Sequence, residues 1–133
     1  MAYGRKDYFW GVAPEKSVFG ELQTPVVHTG SNNVNPTKTV TVVTYPVSGG
    51  YNFQLTGLTL FCKLPGFQWF NLKVGGASKL IGWFDTERNF IFGEGGNIVC
   101  TGANNLTIEF TNYDTVSCLF MGTIYGFLQQ IIV

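Results

Sequence analysis

Charge is scarce in this chain. Its 133 residues hold 8 Lys plus Arg and 8 Asp plus Glu, so 12% are charged and the formal net charge is zero. That is about half the usual share of charged residues. A neutral chain has no basic field with which to hold nucleic acid or an anionic membrane, and neither is expected as a partner. It also has little colloidal repulsion, which suits a subunit of an assembly. Histidine is nearly absent. His28 is the only one, and a nucleophilic Ser-His-Asp or Cys-His set would have to bring it to Cys62, Cys100 or Cys118, each of which sits in an apolar run. No catalytic residues are expected. No stretch of about 18 apolar residues exists, so no membrane-spanning helix is expected. Residues 1–7 (MAYGRKD) lack the apolar region of a secretory leader, so none is expected.

Cysteines are few and odd in number, with three in all. No two of them lie at metal-ligand spacing. They are expected as buried free thiols in a reducing compartment, with one bridge plus a free thiol as the alternative. No cofactor motif stands out. The glycine-rich stretches Gly75-Gly76 and Gly93-Glu94-Gly95-Gly96 lack a P-loop lysine followed by Ser or Thr, and they read as hairpin turns. Asp85, Glu87 and Glu94 are close in sequence, but the alternating oxygen ligands of an EF-hand are missing. As a hydrolytic pair they would need a cleft that holds them about 5–9 Å apart. Beside Arg88 and among turn residues they read as a solvated loop. Neither cofactor nor metal is expected.

What the chain does have is apolar and aromatic. It is 45% apolar and 16% aromatic, with twelve Phe, 17 Gly and 5 Pro, the composition of short strands joined by tight turns. One domain with a sizeable core fits the length. The most telling stretch is residues 115–128 (TVSCLFMGTIYGFL), apolar on both parities. Val116, Cys118, Phe120, Ile124 and Leu128 share one face, and Leu119, Met121, Tyr125 and Phe127 share the other. A half-solvated strand alternates, whereas one covered on both sides does not. This strand is expected to sit mid-sheet, with one face to the core and the other to a partner surface. Residues 106–111 (LTIEFT) alternate cleanly, so double burial is local to the last strand.

Residues 1–25 differ from the rest. Arg5, Lys6, Asp7, Glu15, Lys16 and Glu21 are six of the sixteen charges. Tyr3, Tyr8, Phe9, Trp10 and Phe19 lie among them with no sustained period, and Gly4, Gly11, Pro14, Gly20 and Pro25 break any regular element. We read an extended N-terminal arm over 1–25 ahead of a sandwich domain over 26–133. Burying its aromatics does not offset the entropy of ordering its backbone. The arm therefore needs hydrogen bonds to a surface, either its own domain or a neighbour. Tyr8, Phe9, Trp10 and Phe19 are its interface candidates, since Tyr and Trp dominate contact hot spots. They join Leu119, Met121, Tyr125 and Phe127 of the last strand.

Between arm and last strand the spacing predicts strands over 26–30, 37–45, 51–63, 67–74, 78–84, 90–92 and 97–101, with a turn cluster at 31–36 and a polar loop at 85–89. In residues 51–63 the apolar parity switches between Phe53 and Leu55 on one side and Leu58, Leu60 and Cys62 on the other. The switch falls at Thr56-Gly57, and a bulge at Gly57 would keep both sets inward. Gly75-Gly76 predicts a hairpin between its flanking strands. The fold class expected is all-β: a two-sheet antiparallel β-sandwich, jelly-roll-like, of about eight strands.

Three resemblances add to this. Residues 123–128 (TIYGFL) in a final strand are similar to the closing strand of C1q/TNF-like jelly rolls, which implies trimers. The series Tyr45-Pro46-Val47-Ser48-Gly49-Gly50, Leu55-Thr56-Gly57, Leu72-Lys73-Val74-Gly75-Gly76 and Asn105-Leu106-Thr107-Ile108-Glu109 resembles the small Gly/Thr/Asn-rich sandwiches of bacteriophage virions. That likeness implies a non-enzymatic structural protein, a capsid decoration or tail-attached subunit. It would be made in the host cytoplasm and carried in the virion, assembled as a homo-oligomer with a trimer favoured, alongside other virion proteins. Trp83 to Arg88 is similar to the Trp…Glu-x-Arg stretch of galectins, without their preceding His-x-Asn-x-Arg strand. It implies the alternative function, a lectin-like module that meets a host glycan through Trp69, Trp83 and Arg88.

Overall fold

The computed structural model describes residues 23–92 and 98–131. The arm residues Tyr8, Phe9, Trp10 and Phe19, and Glu94, lie outside the described residues. Among the described residues nine strands follow one another: β1 (Gln23–Val34), β2 (Thr39–Pro46), β3 (Tyr51–Cys62), β4 (Phe67–Val74), β5 (Ala77–Asp85), β6 (Glu87–Ile91), β7 (Ile98–Thr101), β8 (Asn105–Thr111) and β9 (Cys118–Gln130). They form a five-stranded sheet, β1-β9-β3-β6 with β7 also on β3, and a four-stranded sheet, β2-β8-β4-β5. Every ladder is antiparallel.

The strand order follows from a single long hairpin. Its tip is the turn Gly75-Gly76 between Val74 and Ala77, where φ is 59° and 86°. Two consecutive positive φ values match the right-handed twist of the flanking strands, and glycine takes them without steric cost. From this tip the halves pair outward as β4 with β5, β3 with β6 and β7, β2 with β8, and β1 with β9. Rolling that hairpin so that alternate pairs fall in opposite sheets gives a jelly roll, the architecture expected from the spacing of short strands.

Two predicted details appear as expected. The β3–β9 register shifts between Tyr125 and Gly126, which oppose Gly57 and Leu55. Thr56, one residue before the expected Gly57, is thus the unmatched bulge residue, and Phe53, Leu55, Leu58, Leu60 and Cys62 are all buried. β9 is also a mid-sheet strand, between β1 and β3.

Other boundaries differ. β1 runs without a break from Gln23 to Val34. It therefore takes in Gln23, Thr24 and Pro25, which the sequence reading gave to the arm, and residues 31–34, which it gave to a turn. The ladder with β9 from Cys118↔Val34 to Gln129↔Gln23 holds this polar segment extended. Its Ser and Asn side chains are exposed, so a polar strand costs no burial. The expected polar loop at 85–89 is mostly strand. Thr86 alone, at φ 62°, connects β5 to β6, and its carbonyl accepts from the Cys62 N–H at 2.8 Å. Glu87, Arg88 and Asn89 then pair with Phe61, Leu60 and Thr59 at a sheet edge.

The core lies between the two sheets. Phe84, Phe110 and Phe120 form a ring cluster with centroids 5.1–6.4 Å apart, and each such pair adds about 0.5–1.5 kcal/mol beyond area burial. Cys62, Cys100 and Cys118 are free and buried in this core.

Candidate functional site

Two outward surfaces are set by these strands. The first is the outer face of the five-stranded sheet. On β9 the side chains of Cys118, Phe120 and Ile124 point to the core, while Leu119 and Met121 are half-buried and Tyr125 and Phe127 exposed on the other side. The second face of β9 is therefore apolar, as the sequence predicts, and open among the described residues. Its neighbours continue the patch. Val27 of β1 is 68% exposed and Ile91 of β6 is 91% exposed, with Val99 of β7 beyond. An isoleucine left in water forgoes about 1.5–3 kcal/mol of burial.

The polar groups of this face are largely satisfied sideways. The Thr29 and Thr123 hydroxyls bond each other at 2.9 Å. Thr59 Oγ1 donates to Asn89 Oδ1 at 2.8 Å, and Thr56 Oγ1 donates to the Tyr125 carbonyl at 3.2 Å. Charge is nearly absent: the outward strand positions carry Thr, Ser, Asn, Gln, Pro and apolar residues, and Glu87 on β6 is the one charged side chain. At the Thr56 bulge, Gly57, Ile91 and Tyr125 line a shallow depression of about 410 Å³.

The second surface is the outer face of the four-stranded sheet near the β4–β5 end. The cross-strand pair Trp69 and Trp83 meet edge-to-face with centroids 5.0 Å apart. Tyr113, from the loop before β9, adds a third ring 5.1 Å from Trp83. Phe67 and Ile81 are exposed on the same face. Further along, Lys73 and Glu109 pair at 3.0 Å. So the structure brings Trp69 and Trp83 together, but turns Arg88 elsewhere. Arg88 stands on the core side of β6, opposite Leu60. Its Nη1 donates to the Trp83 carbonyl at 2.8 Å, and its guanidinium lies 4.4 Å over the Phe90 ring. It ties the edges of the two sheets and does not share a face with the indole rings. The sequence reading passed over Tyr113 and Phe67. The signal for Tyr113 was an aromatic in a tight turn, where burial by the strand core is not possible.

Beneath this cluster lie two buried amides, Gln68 and Asn112. Gln68 Nε2 donates to Asn112 Oδ1 at 3.4 Å, and Gln68 Oε1 accepts from the Tyr113 N–H at 2.7 Å. Asn112 Nδ2 donates to the Val34 and Val116 carbonyls, and its Oδ1 accepts from the Asp114 N–H. Buried polar groups are tolerated when paired, and a paired network fixes geometry. Here it fixes the loop that carries Tyr113 and Asp114.

The remaining candidates separate. His28 packs its ring 5.4 Å from Tyr45, which sits 4.9 Å from Phe53. Asp85 Oδ1 accepts from the Gly66 N–H and the Thr86 hydroxyl, and Glu87 is exposed. Among the described residues no three His, Cys, Asp or Glu side chains gather as metal ligands. Burial, then a hydrogen bond that the Cys62 thiol donates to the neighbouring Cys118 sulfur, push the Cys62 thiol up to about 12, and burial pushes Cys100 up. These thiols stay protonated at neutral pH and are poor nucleophiles.

No family model matches the chain, and no curated protein matches it.

Proposed function

We propose that the chain is a non-enzymatic structural subunit of a virion, a capsid decoration or tail-attached protein that assembles through its arm and the outer face of its five-stranded sheet. The observation that carries this reading is the nearly uncharged apolar face built on β9, open among the described residues. Interface cores are depleted in charge and enriched in aromatic and apolar residues. An exposed contiguous apolar patch marks a contact surface more often than a free one. A face whose one charged side chain, Glu87, lies on the edge strand β6 also meets a copy of itself with little like-charge repulsion, as a symmetric oligomer requires. The closing-strand likeness to C1q/TNF-like jelly rolls favours a trimer. Virion residence rests on the likeness to small phage sandwiches.

Particles purified by density gradient from a culture that produces the chain provide the test. Peptides of the chain are expected to co-sediment with the particles at a fixed copy number relative to the shell protein. Recovery in the soluble fraction alone would contradict virion residence.

A further inference from the structure

The aromatic cluster on the other sheet is not used by assembly through β9, and its construction calls for an explanation. Trp83 is 47% exposed and Tyr113 59% exposed. Trp83 Cα pairs with Trp69 across β4–β5, so its ring is held by its partner's edge. Tyr113 is held from below, because Gln68 and Asn112 are buried amides whose bonds go to the backbone of Tyr113 and Asp114. Apolar side chains there would leave the Val34 and Val116 carbonyls and the Tyr113 and Asp114 N–H groups without these partners. What the pair achieves is a fixed loop beside fixed rings. A cleft runs between Phe67 and Tyr113 with Asp114 in its wall, and Phe67 joins it to the hollow against Trp83.

We infer that Phe67, Trp69, Trp83 and Tyr113 form a binding platform for an uncharged hexopyranose unit of a glycan, with Asp85 and Asp114 as hydrogen-bond acceptors at its rim. The chemistry follows from the rings and the rim. The electron-rich face of an indole or phenol attracts the polarised C–H groups on the apolar side of a pyranose, as it attracts cations. Hydroxyl groups around that ring then need acceptors. Asp85 is the cross-strand neighbour of Phe67, and Asp114 lines the cleft. Each binds the protein's own donors through Oδ1, and among the described residues neither Oδ2 has a partner. The same carboxylates repel polyanions, and among the described residues no Lys or Arg lines the cleft or the hollow. Charge thus selects a neutral sugar over nucleic acid, sulfated chains or sialic acid. This inference stands apart from assembly through β9, which uses the opposite sheet.

The test is titration of the full chain with lactose, maltohexaose and cellohexaose, followed by saturation-transfer NMR and Trp fluorescence, with a printed array of neutral glycans to widen the panel. Saturable binding of a neutral sugar is expected. Trp83→Ala and Tyr113→Ala, both at exposed rings and checked for native circular dichroism, are expected to weaken it at least tenfold. Ile91→Asp, on the other sheet, is expected to leave it unchanged, and a sialylated form of the bound sugar to bind more weakly. Absence of binding across the neutral panel overturns the inference, as does binding indifferent to both ring substitutions. A change of sedimenting mass on Trp83→Ala overturns it too, because the patch would then be a contact between protein chains.

Discussion

Asn112 has no exposed surface, and its side chain makes four hydrogen bonds that join β1, the loop before β9 and Gln68. Asn112→Ala leaves the Val34 and Val116 carbonyls and the Asp114 N–H without this partner. A loss of about 3 kcal/mol is expected, read by urea unfolding, since each stranded buried group costs about 1–3 kcal/mol and water reaches some of them. Gly126 is an equally tight position for a different reason. A Cβ there would run into the Gln54 carbonyl and the Phe53 ring. Gly126→Ala is expected to cost about 2–3 kcal/mol, measured the same way, because the core must shift to admit it. The Cys62 thiol sets a pH dependence. In the folded state it keeps its proton up to about 12, against 9.0 for an ordinary thiol. Between those values the unfolded chain binds fewer protons than the folded one, so stability is full below about 9 and falls as pH rises towards 12. Melting temperatures across that window are expected to decline, and Cys62→Ala to shallow the decline. The same burial predicts that the native thiols resist alkylation until the chain unfolds.

At the level of elements, the bulge in β3 is the clearest case of a feature legible in the sequence. Phe53 and Leu55 sit on one parity and Leu58, Leu60 and Cys62 on the other, and only an extra residue turns both sets inward. Deleting Thr56 restores a regular ladder at the expense of one set. Loss of a cooperative thermal transition is the expected result, and a native-like melt would show that the register is fixed elsewhere. The Gly75-Gly76 hairpin was legible for a similar reason, as few sequences other than paired glycines fit that turn. Polar strands were not legible. Ser31–Val34 and Glu87–Asn89 look like loops by composition, and they are extended because β9 and β3 supply hydrogen bonds from far along the chain. Pairing partners so remote leave no local trace. The candidate surfaces divide in the same way. Trp69 and Trp83 were visible as candidate sugar contacts, whereas Tyr113 joins them only through the Gln68–Asn112 network. Arg88, five residues from Trp83, looks like its companion in sequence but lies on the core side of the sheet edge.

For the whole molecule, the jelly roll gives two outer sheet faces of opposite character. The four-stranded sheet carries Lys73, Lys79, Asp85 and Glu109 around its aromatic cluster, and the five-stranded sheet carries Glu87 alone. Scarcity of charge in the chain is thus concentrated where β9 presents Tyr125 and Phe127. Assembly through that face is the central claim, and the solution mass of the purified full chain tests it most directly. Sedimentation equilibrium is expected to give a small whole-number multiple of 14.7 kDa, three being favoured, and the double substitution Ile91→Asp and Tyr125→Asp is expected to reduce it to a folded monomer. A wild-type chain that remains a soluble monomer at high micromolar concentration would contradict the account.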